Sequence, residues 1–170
     1  ETNQVYGIFF GIIVSMVLYN VFILFSTKSY SYFFYVVYVF CYGLFLAGYQ
    51  GFTQKYLFYN YPWFSNNGLS FTMGFSELFL TLFTMAYLNI AEQNKKLNWL
   101  FRLSALGGLT VIISSLINPY AVNVKLFFLN AAIISFLAYG TAIYKWIKGY
   151  RPARYFFLAF SFMIIGRMIT

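Results

Sequence analysis

Charged residues in this chain are gathered into a few narrow bands, and the intervals between them are long and apolar. Residues 2–27 carry no charge, and neither do 29–54, 103–124 and 126–144, giving runs of 26, 26, 22 and 19 residues. A helix rises about 1.5 Å per residue, so roughly 20 apolar residues cross a hydrocarbon core of about 30 Å. Such runs in succession predict an all-α, polytopic transmembrane helix bundle forming one module over residues 1–170. Six helices fit, at about 5–25, 30–50, 69–89, 99–117, 124–147 and 154–170. The first two are joined by a turn containing Lys28 and must be antiparallel neighbours. A longer polar and aromatic loop follows, Gly51 to Asn67, in which Pro62 reads as a helix breaker. Glu92-Gln93-Asn94-Lys95-Lys96 separates the third helix from the fourth, and Asn118-Pro119 ends the fourth. Gly149 suits a C-terminal cap on the fifth helix and Pro152 the first turn of the sixth. Gly107-Gly108 is a place where the fourth helix can loosen.

Composition sharpens the environment. Hydrophobic residues make up 62% of the chain and charged residues 8%, where a soluble domain carries about 25% charged residues; a water-soluble core is excluded. The single cysteine, Cys41, falls inside the second helix, so no disulfide framework exists and it reads as a small apolar core residue. Glu1-Thr2-Asn3-Gln4 lacks the basic segment of a signal peptide, so the first helix is expected to be retained. Basic loops are held on the cytoplasmic side of a membrane. With the N-terminus outside, the inner side holds Lys28, Lys95, Lys96, Arg102, Lys145, Lys148, Arg151 and Arg154, against Lys55 and Lys125 outside. That bias accounts for the net charge of +8 without nucleic acid. Six spans that begin outside also end outside. A cytoplasmic output domain therefore needs an odd number of further crossings, most simply a seventh helix after Thr170, and Glu1 is expected to continue from an upstream segment.

Four groups of residues are candidates for function. On the first helix Gly7, Gly11 and Ser15 recur every four residues, a small-residue seam that lets another helix approach closely in lipid, within the bundle or across a homodimer. On the third, Ser70, Gly74, Glu77, Thr81 and Thr84 share a face that should point inward. Glu77 is the one acidic residue inside a span, and an ionised carboxylate at mid-membrane costs at least about 2.5 kcal/mol. Arg167 is the one arginine deep in a span. Counted along the helices, Glu77 lies roughly 12 to 14 Å from the outer boundary and Arg167 roughly 18 Å from the inner one, which makes them candidates for an ion pair, as a static link, a switch or a ligand contact. The outer loop strings together aromatics that include Tyr59, Tyr61 and Trp63, read as an interfacial belt or as a platform for an extracytoplasmic domain. The inner loop concentrates Lys145, Lys148, Arg151 and Arg154, which serve as a retention signal or bind anionic lipid or a signalling partner.

Enzyme chemistry is poorly supplied. The chain has no His and no Asp, one Cys and three Glu, so a Ser-His dyad, an intramembrane aspartyl pair and an HExxH metal site are all impossible within it. No cofactor or metal is expected. A small multi-pass transporter or channel is the competing class, and should show internal repeats or broken helices around a midplane site; no convincing repeat is present. A purely structural anchor is a third.

Gly7-x-x-x-Gly11 followed by Leu18-Tyr19-Asn20 on the first helix, then Tyr32-Phe33-Phe34-Tyr35 opening the second, Tyr87-Leu88-Asn89 closing the third and Gly149-Tyr150-Arg151-Pro152-Ala153-Arg154-Tyr155 opening the sixth occur in this order. In that order the chain resembles the membrane module of bacterial seven-transmembrane receptors with diverse intracellular signalling modules, the 7TM-DISM family, over nearly its whole length. The resemblance implies a location in the bacterial inner membrane and a missing seventh helix. It also implies an extracytoplasmic, sugar-binding-like sensory domain before the first helix and, after the last, an effector such as a histidine kinase, diguanylate cyclase, nucleotide cyclase or phosphatase. The expected role is signal transduction between those two partners, with any catalysis outside this segment.

Overall fold

The computed structural model describes the backbone of residues 2–53, 62–93 and 95–169, with side chains throughout these except at 2–6, 8–10, 62, 65, 66, 92, 93 and 163–169. Among the described residues six long helices form the molecule: α1 (Thr2–Thr27), α2 (Tyr30–Tyr49), α3 (Pro62–Tyr87), α5 (Lys95–Ile117), α6 (Tyr120–Ile147) and α7 (Arg151–Ile169). A single turn, α4 (Ile90–Gln93), lies between α3 and α5. Four segments are long and apolar enough to cross a membrane, Tyr30–Tyr49, Asn67–Tyr87, Lys95–Ile117 and Tyr120–Ile147. The chain is a multi-pass membrane protein, and the short connections after α1, α5 and α6 turn the chain back on itself.

Two ends result. At the basic end lie the turn at Lys28-Ser29, the segment Leu88–Gln93 and the turn at Lys148-Gly149-Tyr150; at the far end lie Gly51, Pro62 and Asn118-Pro119. Each basic-end turn contains one left-handed residue, Lys28 at φ 50°, Asn89 at φ 47° and Gly149 at φ 84°. Only glycine adopts that conformation freely. At Asn89 it breaks α3 two residues after Tyr87, so the third helix stops earlier than the apolar pattern suggests. Its start also differs. Pro62 opens α3 instead of acting as a helix breaker within the loop, because a proline at the first helical position loses no hydrogen bond and already has a helical φ. Pro119 likewise stands immediately before α6, which begins four residues sooner than its apolar run.

α3 is the centre of the bundle and packs against α2, α5 and α6; α1 packs chiefly on α2, and α7 chiefly on α6. Gly107 and Gly108 do not loosen α5, which is continuous from Lys95 to Ile117. Gly107 makes room for the Asn130 side chain, and Gly108 lets backbones meet: a Cβ on Gly108 would stand 3.1 Å from the Leu78 nitrogen, and one on Gly74 would stand 2.9 Å from the Ile112 nitrogen. Close helix approach through small residues is what packing in lipid favours.

Burial runs opposite to that of a soluble protein. Among the described residues thirteen buried side chains are polar and eleven apolar, while Phe22, Phe128, Phe136 and Phe162 are largely exposed. The interior is where polar groups find partners, since the bilayer offers none. Most buried hydroxyls bond backward along their own helix, Ser76 to the Met73 carbonyl at 2.8 Å, Thr81 to Glu77 at 2.9 Å and Thr84 to Leu80 at 2.8 Å. Across helices, Asn130 of α6 donates to the Ser104 carbonyl of α5 at 3.1 Å, and Ser114 donates to Asn123 at 2.6 Å.

Candidate functional site

The basic end is where the sequence builds its most elaborate junction. Gly149 closes α6 in a Schellman arrangement: its N–H donates to the Trp146 carbonyl at 2.9 Å, and the Tyr150 N–H donates to the Lys145 carbonyl at 3.0 Å. The same turn aims two side chains at the end of α3. Lys145, 3% exposed, donates from Nζ to the carbonyls of Leu88 and of Asn89, the latter at 3.0 Å. Those carbonyls belong to the last turn of α3 and its exit, where helix partners run out and the dipole is negative, so a buried ammonium is satisfied there in every sense. The Tyr150 ring sits 5.3 Å from the same Nζ, and its hydroxyl reaches the Tyr87 carbonyl at 3.4 Å. Around this clamp Leu88, Ile90, Phe101, Ala138, Ala142, Ala153, Phe156 and Phe160 form one buried apolar cluster.

Lys145 therefore does not belong with the other three cations of its loop. Lys148, Arg151 and Arg154 are exposed, with the Lys148 Nζ 4.6 Å over the Tyr144 ring. They face outward at the rim, as retention signals or lipid contacts do, while Lys145 is a structural tie between α6 and α3.

Aromatic contacts run along α3 in two stretches, Trp63 to Phe79 and Phe83 to Tyr87, with no ring contact between Phe79 and Phe83. Trp63 meets Phe71 edge-on at 5.9 Å; Phe71 to Phe75 is 4.8 Å, Phe75 to Phe79 is 6.3 Å, and Phe83 to Tyr87 is 5.4 Å. Steps of four residues advance 40° beyond a full turn, so from Phe71 to Tyr87 these positions wind about 160° around the helix. The first stretch meets α2 at its last ring, with Phe34 6.3 Å from Phe79; in the second, Phe83 lies between Tyr35 of α2 at 5.1 Å and Phe156 of α7 at 6.2 Å, and Tyr87 is 5.9 Å from Phe156. The sequence reading missed them, although positions 71, 75, 79, 83 and 87 spell them out. Beside the second stretch opens a groove of about 970 Å³ between α1 and α2 on one side and α7 on the other, walled by Asn20, Tyr32, Tyr35, Tyr87, Tyr155 and Phe156.

Glu77 sits about 15 Å from Tyr87 along α3 and is 3% exposed. Neither carboxylate oxygen has a hydrogen-bond partner among the described residues. The Asn130 amide lies close to it without forming a hydrogen bond of normal geometry, being engaged with Ser104. The side chain of Arg167 lies outside the described residues, so the anticipated ion pair does too. Measured from the Phe83–Phe156 contact, the α7 backbone at position 167 stands about 7 Å farther from the basic end than that of Glu77.

The remaining candidates separate as well. Gly7 and Gly11 have nothing within 4 Å of a Cβ built on them, and Ser15 is exposed with its hydroxyl bonded back to the Gly11 carbonyl at 2.8 Å. Among the described residues the seam on α1 is open. Trp63 is part of the first stretch of α3 rings, whereas Tyr59 and Tyr61 lie outside the described residues.

Comparison with known proteins agrees with this architecture. The family model described as 7TM diverse intracellular signalling matches residues 2–170, and the chain belongs to that family. No curated protein matches it, and no solved structure does. The chain is thus a membrane signalling receptor module.

Proposed function

We propose that this member of the 7TM diverse intracellular signalling family relays the ligand state of an extracytoplasmic sensory domain, placed before α1, to an effector on the cytoplasmic face. The basic end is the cytoplasmic one in this reading, supported by the eight-to-two distribution of Lys and Arg. The observation that carries the proposal is the groove of about 970 Å³. It lies between α1, the helix continuous with whatever precedes it, and α7, and it is the seat for a seventh helix that follows α7 and returns the chain to the basic end. Input and output helices then share one wall-to-wall contact. The Lys145 clamp and the apolar cluster hold α3, α6 and α7 together beneath it, while α1 is attached mainly through α2. A shift of α1 against α2 and that fixed body changes the groove, and a ligand biases the shift by its differential affinity for the two arrangements; coupling of about 1 to 3 kcal/mol is enough.

The test uses the full-length protein. Ala159→Trp and Met16→Trp each push an indole into the groove, while Phe162→Trp on an exposed position of α7 controls for bulk. Ligand-dependent effector output should be lost in the first two and kept in the third, with ligand binding to the sensory domain unchanged in all. Normal output from both groove variants would overturn the proposal, and saturable solute uptake into proteoliposomes would replace it with a transporter.

A further inference from the structure

Arg102 carries a charge for which the relay has no use. It is exposed on α5, about 10.5 Å along the helix from Lys95, in a segment long and apolar enough to cross a membrane. Lys95, Trp99, Arg102, Leu106 and Ile113 follow one another at steps of four, three, four and seven residues, so they form a single stripe. All five are exposed, while the opposite face, with Phe101, Ser104, Gly108 and Val111, is buried in the bundle. The stripe therefore faces lipid. A guanidinium there is costly unless its long side chain reaches the headgroups and meets an anion. From Glu92 to Arg102 the sequence holds three cations, Lys95, Lys96 and Arg102, and one acid, a surplus of two positive charges.

At the basic end of the stripe is an open cleft of about 490 Å³ walled by Lys95, Lys96, Trp99 and Leu100. Its walls combine ammonium donors, an indole and apolar carbon. A phospholipid supplies the complement: phosphate oxygens accept from Lys and, in bidentate fashion, from Arg, and glycerol and acyl carbons pack against Trp at headgroup depth. A zwitterionic headgroup would bring a cation of its own to this surplus of positive charge, so charge complementarity selects an anionic one. Beyond the cleft the stripe continues through Leu106 and Ile113 into the apolar part of the span. A water-soluble protein docked at the membrane surface does not reach them, whereas an acyl chain does.

We propose that Lys95, Trp99 and Arg102 of α5 form a binding site for the headgroup of one anionic phospholipid in the leaflet at the basic end, with an acyl chain lying along Leu106 and Ile113. The site stands whether or not the module relays a signal.

The test uses the full-length protein with its native cysteines replaced by serine and a fluorophore on Leu106→Cys, reconstituted in phosphatidylcholine nanodiscs. Phosphatidylglycerol or phosphatidylcholine brominated on the acyl chain is added as a contact quencher. The brominated phosphatidylglycerol should reach half-maximal quenching at a mole fraction at least tenfold lower. Lys95→Gln and Arg102→Gln should each reduce that preference roughly fivefold, the worth of one juxtamembrane cation. Lys148→Gln with Arg151→Gln, which removes two exposed cations from the rim at α6 and α7, should leave it unchanged. Equal quenching by both lipids would overturn the site and leave these cations to topology or to a protein partner. A preference that survives Lys95→Gln with Arg102→Gln would also overturn it, as would one lost to the same extent in the rim variant, because the general surface charge would then be the attractant.

Discussion

Two stripes of small and polar residues invite comparison, Gly7-Gly11-Ser15 on α1 and Ser70-Gly74-Glu77-Thr81-Thr84 on α3. Both recur at helical spacing, the first reading as a seam for another helix within the bundle or across a dimer and the second as an inward face. The second is buried in the middle of the bundle, where a Cβ on Gly74 would stand 2.7 Å from an Ile112 side-chain carbon; the first faces open space. The difference lies in the number of neighbours. α3 is surrounded by α2, α5 and α6, whereas α1 leans mainly on α2. In lipid the surroundings are as apolar as the protein interior, so spacing reveals that a face exists but not what lies against it.

The sharpest break in that comparison comes from Gly74. Gly74→Leu forces a branched side chain between two helix backbones already in contact, and should cost about 3 kcal/mol or more, since overpacking that cannot relax falls at the high end of its range. Denaturation in mixed micelles, or loss of folded protein on expression, measures it. Stability within 0.5 kcal/mol or so of the natural protein would show that α3 and α5 are not in close contact.

Next in size is the contrast between two lysines of one loop. Lys145→Met removes a buried charged donor from the Leu88 and Asn89 carbonyls, an expected loss of about 2 to 3 kcal/mol, while Lys148→Met on the exposed rim should stay within about 0.5 kcal/mol. Equal effects of the two would remove the clamp. A smaller loss, about 1 kcal/mol, is expected of Asn130→Ala, whose cross-helix bonds to Ser104 are of a kind that averages only about 0.6 kcal/mol in membranes. If Ser104→Ala on top of it costs as much again, the two side chains do not act as a pair.

These contrasts also mark what the sequence could disclose. Helix number, the clustering of basic residues at one end, the Gly149 cap and the helical class are direct consequences of apolar run length and charge position, and lipid enforces both. Pro62 and Pro119 were ambiguous because proline ends one helix and opens the next with equal ease. Lys145 looks like its neighbour Lys148 when charges are counted. Its fate is legible only along α6, where Ile134, Ala138, Thr141 and Ala142 make a buried face that the lysine continues. The clamp itself was out of reach of sequence, because it needs the left-handed break at Asn89 to present two carbonyls to a residue 56 positions away.

The most discriminating test for α1 is one in which no loss of stability is expected. A Gly7→Leu, Gly11→Leu double variant places two bulky side chains where nothing stands within 4 Å of either Cβ. Each glycine inside a helix costs about 1 kcal/mol relative to a good helix former, so stability should be unchanged or rise slightly, by up to about 1 to 2 kcal/mol in total. Lipid can move aside for the new side chains at no packing cost. The measurement is the same micelle denaturation, made beside Gly140→Leu, a second glycine with open space around it on α6. If Gly140→Leu is neutral while the α1 double variant loses 2 kcal/mol or more, about the cost of overpacking a formed contact, the seam is packed after all. The two stripes would then be alike, and the contrast drawn from them would fall.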